Sequence, residues 1–85
     1  MKDTPTQRSN VETVAADEGF VVHDATRGVV HYLNQTAAIV LSLCNGERSG
    51  EDIALLVGDQ YGLAEPPLND VQEILAKLEE QGLLE

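Results

Sequence analysis

Eighty-five residues with an apolar share of 42% make one small domain with a single core, and scarce aromatics leave Leu, Val, Ile and Ala to fill it. Fifteen acids against five bases give a formal charge of −10 at pH 7, and ten of those acids but only two of the bases lie from Glu47 onward. Such a surface repels phosphate backbones and anionic lipid head groups, which excludes nucleic acid and membrane surfaces and favours neutral or basic partners.

Residues 1–10 are polar, contain a proline and show no hydrophobic period, so a mobile tail is expected there, with the domain over residues 11–85. Val11-Glu12-Thr13-Val14-Ala15 alternates as a short strand closed by Asp17-Glu18-Gly19, and Phe20-Val21-Val22-His23 forms a second. After the loop Asp24–Gly28, with Gly28 where a hairpin wants positive φ, Val29 to Leu33 is a third. Tight turns make these an antiparallel meander whose first and third strands are edges. At Leu33-Asn34 the hydrophobic period changes from about 2 to about 3.6, so sheet gives way to helix.

Asn34 is placed to cap a buried helix running to Cys44, with Thr36, Ala37, Val40, Leu41, Leu43 and Cys44 around it and Asn45-Gly46 ending it. Ser49 and Asp52 have capping-box spacing. They open a second helix whose apolar stripe is Ile53, Leu56, Val57 and Tyr61. Gly58 within it marks a close approach by another helix, and Gly62 closes it. Pro66 and Pro67 interrupt the chain before a third helix capped by Asn69 or Asp70. Its face is Val71, Ile74, Leu75 and Leu78, ended by Gly82 with Leu83 behind it.

Little here carries catalytic chemistry. His23, His31 and Cys44 fit no metal-ligand spacing, and no phosphate loop or nucleophile constellation is present, so no metal or cofactor and no enzymatic activity are expected. The pairs Asp17/Glu18, Glu51/Asp52 and Glu79/Glu80 are consecutive; those on helices point apart, as solvated faces do. A lone cysteine makes no intramolecular disulfide, the first ten residues lack a signal-peptide core, and no apolar run is long enough to span a membrane. The reading is a cytoplasmic protein.

Recognition remains. Three strands then three helices can form a winged-helix-like α+β unit with the sheet packed on a three-helix bundle. That shape often reads DNA with a basic helix, but these helices are acidic. A small acidic carrier protein is a further alternative, although Ser49 lacks the Asp-Ser-Leu context of a phosphopantetheine site and the first third is strand-rich. An open edge strand instead offers capture of an extended peptide, with the third helix as one wall of the groove. Val30 and Tyr32 share one face of that strand, and Val29, His31 and Leu33 the other; alternation alone leaves open which faces the core.

The segment Gly28-Val-Val-His-Tyr-Leu-Asn-Gln-Thr-Ala-Ala, followed by Leu43-Cys44-Asn45-Gly46, Ile53-Ala54 and Leu78-x-x-x-Gly82-Leu83, resembles the PqqD family and its relatives, the RiPP recognition elements. The resemblance implies a non-catalytic protein that binds the leader of a ribosomally made precursor peptide as a strand beside the third strand, resting on the third helix. It maps that site onto Val29, Val30, His31, Tyr32, Leu33, Val71, Ile74, Leu75 and Leu78. It implies presentation to a tailoring enzyme, such as a radical S-adenosylmethionine enzyme, a protease or a cyclase. The chain lacks the proline-rich, basic opening associated with members of the pyrroloquinoline quinone pathway, which favours the wider recognition-element group.

Overall fold

The computed structural model of the chain describes residues 4–85. Three strands, β1 (Val11–Ala16), β2 (Gly19–Asp24) and β3 (Val29–Leu33), precede three helices, α1 (Gln35–Leu43), α2 (Gly50–Tyr61) and α3 (Leu68–Glu80). The strands form an antiparallel sheet in the order β1-β2-β3, so β1 and β3 are its edges. The expected α+β architecture of three strands followed by three helices is the one observed. No helix among the described residues is long and apolar enough to cross a membrane.

The register settles which sheet face is core. Ala15, Phe20 and Leu33 lie in one cross-strand row and Thr13, Val22 and His31 in the next; Val22 and Leu33 are buried against the helices. Because side chains alternate, Val14, Val21 and Tyr32 form a row on the opposite face, with Val30 beside it. Val29, His31 and Leu33 therefore point inward, and Val30 and Tyr32 outward.

The bundle core is aliphatic: Val40 and Leu41 from α1, Ile53 and Val57 from α2, Val71, Leu75 and Leu78 from α3, with Leu83 beneath them. Asn34 caps α1 by accepting from the Ala37 amide at 2.8 Å. Ser49 and Asp52 form a reciprocal capping box on α2. Elsewhere the details differ from expectation. α1 ends at Cys44, whose amide donates to Leu41 O, while Asn45 turns its side chain to the Glu47 amide. The buried stripe of α2 is Ile53, Ala54, Val57 and Gly58, so Leu56 and Tyr61 are exposed. Gly58 does mark a close approach, but by the Pro66–Pro67 linker and not by a helix. α3 begins at Leu68 with Pro67 at the N-cap and no side-chain cap, one or two residues earlier than Asn69 or Asp70 would place it.

The tail expected over residues 1–10 is corrected for residues 5–8. Pro5 is buried; the Gln7 amide donates to Cys44 O at 2.7 Å, the Arg8 amide to Leu83 O at 3.0 Å, and the Glu85 amide to Thr6 O at 2.8 Å. The segment threads between the end of α1 and the end of the chain. Residues 1–3 of that expectation lie outside the described residues.

Asp24 is the single charged side chain in the interior among the described residues, 1% exposed. Its Oδ1 accepts from the Thr26 and Arg27 amides and from Asn10 Nδ2, and its Oδ2 from Arg27 Nε at 2.9 Å. The Arg27 side chain and amide hold the carboxyl below the usual carboxylate range, against the opposing effect of burial. A depressed folded-state pKa contributes stability that is complete above the ordinary value of 3.8 and is lost as pH falls through the folded value. In urea denaturation, Asp24→Asn should therefore lower the midpoint by a constant amount above that pH, and the gap to the unsubstituted protein should close on acidification below it. A gap independent of pH would show that the charge is not what Asp24 contributes.

Candidate functional site

A groove of about 310 Å³ opens where the end of β3, the first turn of α1 and one face of α3 meet. Tyr32 and Leu33 supply the strand side, Asn34 and Ala37 one end, and Glu73, Ile74, Lys77, Leu78 and Gln81 the helix side. The helix residues fall at i, i+1, i+4, i+5 and i+8, a single stripe along α3. Apolar side chains lie deepest and charged ones at the rim: Leu33 and Leu78 are buried and Ile74 half-buried, while Glu73 and Lys77 are exposed. Beyond Tyr32 and Leu33 a second concavity continues past Phe20 and Gly19 to Asp17 and Glu18.

The two walls are held by a clamp that the sequence did not announce. Arg27, seated on Asp24, reaches across the β2–β3 loop, and its Nη2 donates to Gln81 O just beyond α3. Gly82 makes that approach possible. It sits at φ +75°, where its amide donates to Glu79 O and that of Leu83 to Leu78 O, and a Cβ there would collide with the Arg27 guanidinium. The spacing Gly82-Leu83 was legible as a helix stop; the arginine from a loop 55 residues upstream was not. Among the described residues, two shielded side-chain polar atoms, His31 Nε2 and Gln81 Oε1, meet no hydrogen-bond partner.

Of the nine residues expected at the site, the structure brings Tyr32, Leu33, Ile74 and Leu78 to the groove. Val29 and Val30 lie along the same edge strand outside it, half-exposed, and His31 faces inward. Val71 and Leu75 are core residues, 0% and 3% exposed, and do not line the groove. Asn34, Ala37, Glu73, Lys77 and Gln81 line the groove without having been expected; the helix period through Ile74 and Leu78 would have reached Glu73, Lys77 and Gln81.

The other candidate chemistry is not gathered. No group of three or more His, Cys, Asp or Glu among the described residues is placed to hold a metal ion. Cys44 is buried, its Sγ donates to Val40 O at 3.1 Å, and burial pushes the thiol up to about 11, so it carries no thiolate near neutrality. The Ser49 hydroxyl is taken up by the α2 cap.

A family model described as Coenzyme PQQ synthesis protein D (PqqD) matches residues 19–84, from β2 to the end of the fold. The chain belongs to the PqqD family. No curated protein matches this PqqD-family chain. Among solved structures, it is similar to lasso peptide synthetase B1 complexed with the leader peptide, at 24% identity over 96% of this chain and 98% of that one, with a TM-score of 0.76. It is also similar to TbiB1 in complex with the TbiA(beta) leader peptide, at 21% identity over 94% of each chain, with a TM-score of 0.75. At such identities the likeness is one of fold, and it extends to β1, which precedes the segment matched by the family model.

Proposed function

We propose that this protein is a non-catalytic RiPP recognition element: it captures the leader of a ribosomally made precursor peptide as a strand added to β3, over α3, and presents it to a tailoring enzyme. The observation that carries the reading is the open edge of β3 lying directly against an apolar-floored groove. An unpaired strand edge offers alternating N–H and C=O groups, so an added peptide gains main-chain hydrogen bonds while the groove sorts its side chains. Side chains of the peptide that face inward would continue the row of Leu33 and rest on Ile74 and Leu78. Those facing outward would continue the row of Val14, Val21 and Tyr32. Membership of the PqqD family and two structural neighbours seen with leader peptides support the same reading.

Ordering a flexible peptide costs about 2–5 kcal/mol, which the groove contacts must exceed. The acidic surface disfavours a DNA ligand for the same fold. The test is chemical-shift mapping with synthetic leader segments of candidate precursor peptides. Shifts are expected over residues 28–34 and along the groove face of residues 70–79. Shifts confined to residues 49–61 would refute strand addition.

A further inference from the structure

Outside the sheet, the exposed large apolar side chains among the described residues are Leu55, Leu56, Tyr61 and Leu63, all on α2 or just after it. The groove uses none of them. Leu55, 54% exposed, borders a separate shallow cleft of about 220 Å³ with Ala54, Pro66, Leu68 and Glu51. The cleft exists because the Pro66–Pro67 linker crosses α2 at Gly58, where a Cβ would meet both prolines at 3.4 Å, and so stands as a wall beside the helix.

The one charged residue lining it is acidic, Glu51, and further acids flank it in the chain. Glu51 and Asp59 lie four residues either side of Leu55, on the same helix face, and Glu65 immediately precedes Pro66. From Glu51 to Pro67 there is no lysine, arginine or histidine. A second copy of this chain would bring like charges together over a small apolar contact, a poor dimer interface. A complementary surface carries an apolar anchor for the cleft floor and Lys or Arg for the rim.

We propose that the α2–linker cleft docks a second protein through an apolar side chain flanked by basic residues. The cleft and the β3–α3 groove share no lining residue, so both can be occupied at once. A protein seated on α2 would leave a peptide in the groove accessible. The proposal does not depend on what the groove binds.

The probe is a phage-displayed library of random short peptides selected on the full chain, with enriched sequences synthesised and titrated by fluorescence polarisation. Peptides bearing a large apolar residue between Lys or Arg should emerge and should shift amides of residues 51–68. Leu55→Asp and Asp59→Lys, both at exposed positions, should each weaken them by about tenfold or more, whereas Ile74→Asp should leave them unchanged. The proposal is overturned if no such peptides are enriched, if basic peptides shift only the groove residues, or if sedimentation finds self-association that Leu55→Asp abolishes. Groove-only binders would at the same time leave the leader-peptide reading intact.

Discussion

Ile74→Asp is expected to raise the dissociation constant for the leader peptide by about ten- to a hundredfold while leaving the protein folded. Ile74 is half-buried in the groove wall, so it offers apolar surface that a bound side chain can cover. Covering a side chain of this size is worth about 1.5–3 kcal/mol, and each 1.4 kcal/mol is a factor of ten in affinity. An aspartate would also bring a carboxylate beside Glu73, under a ligand that excludes water. Isothermal titration calorimetry reads the effect and circular dichroism checks the fold. An unchanged dissociation constant with the fold intact would remove the α3 wall from the binding surface.

Leu78→Ala should instead cost about 2–5 kcal/mol of stability, read by urea denaturation. Leu78 touches the groove but is 1% exposed and belongs to the core shared by all three helices, so truncation leaves a cavity that close-packed neighbours fill only in part. For a domain of this size that is a large part of the total, and a weakened peptide affinity in this variant would reflect unfolding as much as lost contact. A loss below about 1 kcal/mol would mean that the core repacks around the gap. The contrast between Ile74 and Leu78 decides which substitutions report on binding: Val71 and Leu75 behave as Leu78 does.

That contrast also marks how far the sequence could be read. The three strands, the Asn34 cap, the Ser49–Asp52 box and the Gly82 stop were legible because each rests on residues within a few positions of one another. The apolar stripe of α3 was legible too, but a stripe is a property of one helix. It could not separate Val71 and Leu75, covered by neighbours on one side, from Ile74, which the same helix turns toward a strand edge. On α2 the expected and buried stripes share Ile53 and Val57, but Ala54 and Gly58 are small enough to be buried where Leu56 and Tyr61 are not. Residues 5–8 gave no apolar pattern because their attachment is chiefly through backbone hydrogen bonds, which any sequence can make.

The charge balance, the order of the elements, the N-caps of α1 and α2 and the edge position of Val29–Leu33 are determined by the sequence itself, since composition, turn residues and hydrophobic period are local quantities. Only the tertiary structure decided the inward direction of Leu33 and His31, the Asp24–Arg27–Gln81 clamp and the groove it holds beside α3. Those depend on which elements meet: a side chain 55 residues from Gly82 fills the space that Gly82 leaves, and no pattern within either segment contains the other.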